Sequence, residues 1–437
     1  MKKQQIIVEI ISILLVFIYF IMPIFGMESI IEFNSNNTLY VDDDNTKGPW
    51  YGTQQFPYKN IQDALNNSFL GDTVIVYSGV YHGYNPFSGL GQIPIVRIDK
   101  SISLIGQEIN GQGKPLITTC IVIAPNLFGS GTTDYTKIIN FCIEYPYNLL
   151  YDAIHVGGSS FVEISNCNIT AFEEFTGGIQ LSNSNYSIIK NNYIYSCHGT
   201  GIYVSDSNNN IFLGNTFYNN SGWGGIIFDK FSSGGIERYS NYSIICHNQF
   251  IDNGAISKCN NTWYNPFTLT GNYWYNYEGE DKDDDGIGDI PYNISGEGKC
   301  QDLYPLMKPW SGSENYPPNK PSINGSSKGQ AGEFYDYIFS ANDSDGDGIK
   351  FLVNWGDGSV EYSEIIPSDS ELKISHLFEK KGSYVIKVRA FDLNLDYSDW
   401  ATLEVSMPKN RMINNPILNF LQQFPLIYQL LQRFLNL

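Results

Sequence analysis

Cys167-Asn168-Ile169, Asn192-Tyr193-Ile194, Asn215-Thr216-Phe217, Asn248-Gln249-Phe250 and Asn272-Tyr273-Trp274 repeat one text in register, their leading residues 25, 23, 33 and 24 positions apart. A fixed period of roughly 20 to 50 residues marks a stacked solenoid in which one repeat is one coil. A second ladder runs between these segments, at Ala153-Ile154-His155-Val156, Gly178-Ile179-Gln180-Leu181, Gly201-Ile202-Tyr203-Val204 and Gly225-Ile226-Ile227-Phe228. Both texts alternate with period two, so each coil carries at least two short strands separated by Gly/Asn/Ser turns. The spacing predicts a parallel β-helix. Asn192, Asn215, Asn248 and Asn272 point inward with the apolar residue two places on, where side-chain amides can bond from coil to coil. Cys167 replaces one rung. The gap of 33 leaves about ten extra residues, and Asp229 to Asn241 fits a loop inserted on one face, often the binding face of such repeats.

At 437 residues with 42% apolar and 15% aromatic content, the chain has room for one elongated solenoid and one ordinary domain. A formal charge of -19 argues against a nucleic-acid partner, whose binding rests on Lys and Arg neutralising phosphates. Residues 1–30 read as a signal peptide or an N-terminal anchor: Lys2 and Lys3 precede an apolar run from Ile10 to Phe25, short for a spanning helix and suited to a secretory segment. Sequons at Asn36, Asn66, Asn168, Asn185, Asn219, Asn241, Asn260, Asn293, Asn324 and Asn342 agree with an extracellular or cell-surface glycoprotein. Of the seven cysteines, Cys120, Cys142, Cys167 and Cys246 lie in strand-like text and read as small buried hydrophobes. Cys259 and Cys300 bracket the last coil and are the disulfide candidate, a pairing that distance decides.

Ahead of the repeats, Tyr58 to Leu65 reads as a short amphipathic helix followed by the strand Thr73 to Tyr77, the helix covering the open end of the solenoid. This stretch carries a resemblance. Tyr40-Val41-Asp42-Asp43-Asp44, Ile61-Gln62-Asp63-Ala64, Gly71-Asp72-Thr73-Val74-Ile75-Val76 and Lys100-Ser101-Ile102-Ser103-Leu104-Ile105-Gly106 resemble the start of NosD-like right-handed β-helix proteins. Gly271-Asn272-Tyr273-Trp274, Asp285-Gly286-Ile287-Gly288-Asp289-Ile290-Pro291-Tyr292 and Tyr304-Pro305-Leu306-Met307 resemble the terminal coil of archaeal surface members. The resemblance spans about residues 38–310 and implies the fold rather than an activity. It also implies a copper-handling alternative, although His155, His198 and His247 fall on different coils and copper sites want clustered Cys, Met and His.

Many β-helix proteins are polysaccharide lyases or glycoside hydrolases, chemistry that needs two placed carboxylates, or calcium with a base. Glu173, Glu174, Asp206, Asp229 and Asp252 are scattered over turns, Arg97 and Arg238 have no evident acidic partners, and Cys197-His198-Gly199 lacks the paired aspartates of a hydrolase motif. Outward positions favour binding. Tyr193, Tyr195, Tyr218, Tyr273 and Tyr275 fall one or three residues past the inward anchors, predicting an aromatic stripe on one outer sheet, with His155, Gln180 and Tyr203 on its neighbour. Aromatic faces with polar tips suit sugar rings, and cross-strand packing is the alternative use of such tyrosines.

Asp281-Lys282-Asp283-Asp284-Asp285-Gly286-Ile287-Gly288-Asp289 sets carboxylates at loop positions 1, 3, 5 and 9 with Gly at 6, the spacing of an EF-hand-type calcium loop. Tyr292 replaces the Glu expected at position 12, which predicts a weak structural calcium site or a solvated turn. Asp343, Asp345 and Asp347 repeat half of the pattern and are the second calcium candidate. After the Pro-rich linker 311–320, residues 321–406 show short strands at regular spacing: a small β-sandwich around Trp355. Asn354-Trp355-Gly356-Asp357-Gly358, His376-Leu377-Phe378 and Gly382-Ser383-Tyr384 resemble the PKD-type immunoglobulin-like repeat, a resemblance that implies a spacer or adhesion module. In the tail, 407–437, Ile417 to Leu435 recur at helical spacing broken by Pro425, predicting two short amphipathic helices that suit sorting, docking or shallow membrane contact. The favoured reading is an all-β, exported surface protein that binds a cell-surface glycan or surface protein through the outer face of its β-helix. An extracellular polysaccharide lyase or glycoside hydrolase, and a NosD-like copper-handling protein, are the alternatives.

Overall fold

A computed structural model describes residues 37–83, 95–125, 132–146, 152–312 and 315–407. The expected leader and the helices of the tail lie outside the described residues. Two compact units divide the chain, one running to Tyr264 and again from Leu269 to Trp310, the other taking Asn265–Thr268 and Ser311 onward.

The first unit is a parallel β-solenoid with three strands per coil, one more than the two repeating texts require. Among the described residues, sheet I has eight strands, from Thr38–Val41 to Ile244–Cys246; sheet II has eight, from Val80–Tyr81 to Tyr273–Trp274; sheet III has seven, from Ile95–Ile98 to Ala255–Ser257. Successive coils pair in register, so that Tyr193, Ile194 and Tyr195 lie against Thr216, Phe217 and Tyr218. The apolar member of each alternation faces inward and is fully buried, as with Ile194, Phe217 and Phe250. Phe250 stacks between Phe217 and Trp274 at ring distances of 4.9 and 4.1 Å.

The Asn ladder marks the corner between sheets I and II. The residue before each rung but the last, Asn272, takes a left-handed backbone: Asn166, Asn191, Gly214 and His247 have φ of 55, 55, 64 and 58°. Asn and Gly adopt that region readily, which explains their recurrence there. Asn192, Asn215, Asn248 and Asn272 are 0–1% exposed. Each main-chain N–H donates to the amide oxygen of the next rung, as from Asn192 to Asn215 at 3.0 Å and from Asn215 to Asn248 at 2.9 Å. The ladder ends on the fully buried Asp302, which accepts from the Asn272 N–H at 2.7 Å and from Trp274 Nε1 at 2.9 Å. Burial pushes its carboxyl up to about 6. A second corner, with no single repeated residue type, runs Val162, Ser187, Asn210, Ser243 and Asn261 in the same manner.

The helix spans Ile61–Asn67 and buries Ile61, Gln62, Ala64 and Leu65 over the first coils. Gln62 clamps the Arg97 main chain, accepting its N–H at 2.8 Å and donating to its carbonyl at 3.2 Å. The inserted segment is an antiparallel hairpin of Phe231–Ser233 and Ile236–Arg238.

The second unit is a sandwich of a three-stranded sheet (Ser322–Gly325, Phe334–Ser340, Glu371–Leu377) and a four-stranded one (Val360–Ile366, Ile349–Asn354, Gly382–Phe391, Ala401–Met407). Trp355 is 1% exposed at its centre; His376 stacks on it at 4.1 Å and Asp357 holds that imidazole at 2.8 Å. Val360–Ile366 carries five partly or fully exposed side chains before Ile365 and Ile366.

Candidate functional site

The turns that carry the chain from sheet II to sheet III stack on one another as the strands do. Gly178 N–H donates to Thr200 O at 3.0 Å, Gly199 N–H to Thr176 O at 2.7 Å and Gly222 N–H to Gly199 O at 3.0 Å. Glycine is required at two of these contacts: a Cβ on Gly199 would sit 2.6 Å from the Thr176 backbone, and one on Gly222 only 2.5 Å from that of Gly199. The close-packed turns leave a cleft of about 700 Å³ beside the outer face of sheet III.

Phe175 and Trp223 line this cleft from turns two coils apart, a spacing of about 10 Å along the axis. Both rings face solvent, at 90% and 67% exposure. Phe175 also holds a φ of 66°, an uncommon conformation for an aromatic residue, and here no burial of the ring offsets the strain. Such strain clusters at functional sites. Gln180 and Tyr203, paired in register on sheet III, contribute the polar floor. Gln180 is fixed by His155, whose Nδ1 lies 2.9 Å from its Oε1, and by its own donation to Ser182 at 3.2 Å. Tyr203 donates to Asp229 Oδ2 at 3.0 Å, and Lys258 neutralises that carboxylate at 2.9 Å. Burial holds the His155 imidazole below its ordinary pKa and pushes the Tyr203 phenol up to about 12.

Asp152, Glu174 and His198 supply the titratable groups of the cleft. Burial pushes the Asp152 carboxyl up to about 6, against the opposing bond from Gly177 N–H at 2.5 Å. The arrangement therefore joins two exposed aromatic faces, oriented amide and hydroxyl groups, and one carboxyl that is half protonated in mildly acid solution. None of Asp152, Phe175 or Trp223 stood out in the sequence. A register signal was present: Phe175, His198 and Gly222 each stand three residues ahead of the recurring glycines Gly178, Gly201 and Gly225.

Four of the tyrosines expected on the outer stripe share sheet II, in two columns, and Tyr275 lies in the turn after the last strand, Tyr273–Trp274. Tyr193 and Tyr273 belong to one column but Thr216 and Gln249 stand between them; Tyr218 stands between Tyr195 and Ile251 in the other. Tyr193 and Tyr195 stack at 4.8 Å. Tyr193 and Tyr218 are 39% exposed and Tyr275 64%, so the aromatic surface is broken into patches instead of forming a continuous platform. Arg97 and Arg238, unpaired in the sequence reading, bind Asp99 at 3.1 Å and Asp206 at 2.9 Å. Cys259 and Cys300 are free, buried thiols and not a disulfide. Cys300 Sγ donates to Cys259 O at 3.2 Å, and Cys259 Sγ to Asp229 O at 3.4 Å; each thiol is satisfied by the main chain.

Asp281, Asp283 and Asp285 bring carboxylate oxygens within 4.8 Å of one another, the one such group of His, Cys, Asp or Glu among the described residues. Asp281 also accepts from Asp285 and Gly286 N–H at 3.2 and 3.0 Å. Asp289 turns aside and accepts from Lys282 N–H at 2.9 Å. Asp343, Asp345 and Asp347 do not form such a group; Asp343 Oδ1 instead accepts from Asp345 and Asp347 N–H at 3.0 and 3.3 Å. Of the histidines weighed for copper, His155 is engaged with Gln180, His247 stacks on Trp310 at 3.8 Å and bonds Thr270 at 2.6 Å, and His198 lines the cleft.

Residues 109–279 match the family described as "Right handed beta helix region", and with the three parallel sheets they define the first unit as a solenoid of right-handed β-helix type. Among solved structures, the chain is similar to the PKD domain of an M14-like peptidase from Thermoplasmatales archaeon SCGC AB-540-F20, at 42% identity over 22% of this chain and 99% of that one, with a TM-score of 0.22. It is also similar to the PKD1 domain of Vibrio anguillarum Epp, at 18% identity over 22% of this chain and 100% of that one, TM-score 0.16. The enzymatically active domain of bacteriophage CBA120 tailspike protein 2 is similar at 12% identity over 84% of this chain and 63% of that one, TM-score 0.24. No curated protein matches the chain.

Proposed function

We propose that this chain is an exported cell-surface protein whose β-helix binds carbohydrate in the cleft beside sheet III. The observation that carries the reading is the pair of solvent-facing rings, Phe175 and Trp223, flanking a cleft of about 700 Å³ with a fixed polar floor. Sugar rings present an apolar face edged by hydroxyls, and an aromatic plane with oriented amide and hydroxyl partners meets both. Sites of this build use the aromatic contacts for affinity and the polar groups for orientation. The finer affiliation, a NosD-like β-helix followed by a PKD-type repeat, belongs to the same proposal; it is supported by the covering helix, the Asn ladder closed on Asp302, and the packing of His376 on Trp355.

Glycoside hydrolysis in the same cleft is the second reading, favoured by one observation: the Asp152 carboxyl, raised to about 6, keeps a proton for a leaving oxygen where an ordinary carboxyl has lost it. A glycan array probed with the full chain, with release of reducing ends measured on each bound glycan, separates the two. Binding without release supports the binder, and release abolished by Asp152→Asn supports the hydrolase. Absence of binding to every glycan overturns the proposal.

A further inference from the structure

Between Lys137 and Lys230 the sequence holds one Lys or Arg, Lys190, against seven carboxylates: Glu144, Asp152, Glu163, Glu173, Glu174, Asp206 and Asp229. Lys190 closes a strand of sheet I, whereas the cleft opens beside sheet III. Of the basic residues that flank these coils, Lys114 bonds the Asn166 carbonyl at 2.6 Å and four are committed to carboxylates. Lys137 pairs with Glu163 at 3.5 Å, Lys230 with Glu297 at 2.9 Å, Arg238 with Asp206 at 2.9 Å and Lys258 with Asp229 at 2.9 Å. No Lys or Arg lines the cleft among the described residues, while Asp152 and Glu174 do.

A bound uronate would therefore bring its carboxylate out of water into the field of like charges with no cation to receive it. Burying an uncompensated charge is unfavourable, and like-charge juxtaposition is how a site rejects a wrong ligand. Elimination chemistry on uronates would further need a cation at that carboxylate and a base. We propose that the cleft selects glycans without negative charge, amino sugars ahead of neutral ones, and excludes polyuronates. This rests on the carbohydrate-binding reading of the same cleft. Glu174, exposed at the rim, supplies the discriminating charge.

The test compares matched pairs on the full chain at pH 8, where histidine of ordinary pKa is uncharged. Each of a panel of acidic polysaccharides is set against its own carboxyl-reduced form, and N-trimethylated chitosan oligomers, which keep their positive charge at this pH, against their N-acetylated counterparts. On every backbone that binds, the carboxyl-reduced form is expected to bind about tenfold more tightly, the effect of one like charge roughly 12 Å away at the effective dielectric of a protein surface. The trimethylated chitosan is expected to exceed its acetylated counterpart, and both preferences to shrink in about 0.5 M salt. Glu174→Gln, a change on an exposed turn, narrows both gaps, and gaps as wide as the parent's in this variant overturn the selectivity. An acidic parent that binds as well as its reduced form overturns the selectivity and leaves the glycan site standing. No binding to any member overturns both.

Discussion

Replacing Asn215 with Ala tests what the interior ladder contributes. Its amide oxygen accepts from the Asn192 N–H and Nδ2, both at 3.0 Å, and its Nδ2 donates to Ile189 O at 2.7 Å and to Asn248 Oδ1 at 3.0 Å. The site is fully buried, so no water replaces these partners. Asn192 keeps a bond from Nδ2 to Ile164 O, and Asn248 Oδ1 still accepts the main-chain N–H of position 215, which limits the damage. The Asn192 N–H loses the partner its side of the corner requires, and Ile189 O loses its side-chain donor. At about 1–3 kcal/mol for each of these two unmet buried groups, the loss comes to about 2–6 kcal/mol. A loss of that size lowers Tm by roughly 4–24 °C in a unit of this size. Circular dichroism melts and urea titrations measure it, with Thr216→Ala, one residue along and facing outward, as the control. A loss under about 1 kcal/mol, no larger than that of the control, would refute the ladder as a stabilising device and reduce the repeated Asn to a turn preference.

Three further outcomes follow. Asp302, raised from 3.8 to about 6 by burial, binds its proton more tightly in the native state than in the unfolded chain. Its contribution is therefore fully present below the unfolded value and is lost as pH rises from about 4 to about 6, by up to about 3 kcal/mol. The pH dependence of urea stability should flatten across that window in Asp302→Asn, and an unchanged slope counts against the assignment. Millimolar calcium should raise Tm more than magnesium does, through the oxygens of Asp281, Asp283 and Asp285; an equal rise in Asp283→Asn with Asp285→Asn shows the loop to be a solvated turn. Thiol titration of the denatured, unreduced chain should count all seven cysteines, and a count of five would restore the Cys259–Cys300 bridge.

The solenoid was legible because its corner needs the same side chain on every coil: an inward amide that both donates and accepts, preceded by a residue that tolerates positive φ. Sheet I was not legible in the central coils. Its strands, such as Glu163–Ser165 and Ile211–Leu213, are three residues long with all three side chains buried, which leaves no alternation to read. The tyrosine stripe was half legible. Alternation gave the sheet correctly, but continuity depended on Thr216 and Gln249, whose outward positions break the column. The cleft was hidden for another reason: Asp152, Phe175, His198 and Trp223 each belong to a different turn, and turn residues carry meaning only once the coils are stacked in register. The Cys259 and Cys300 pairing brought the right two residues together, with Cys300 Sγ 3.2 Å from Cys259 O, but each thiol bonds the main chain and not the other sulfur.

Affinity of paired variants for the tightest glycan on the array tests the central claim most directly. Phe175→Ala with Trp223→Ala removes the two rings of the cleft, whose side chains are exposed and whose loss should leave Tm almost unmoved. Tyr193→Ala, Tyr218→Ala and Tyr273→Ala together remove the outer rings of sheet II. The account predicts that the first variant loses about 5- to 150-fold in affinity, at roughly 0.5–1.5 kcal/mol for each of two aromatic contacts, while the second binds as the parent does. Retained binding in the first with loss in the second would contradict it and return the site to the tyrosines.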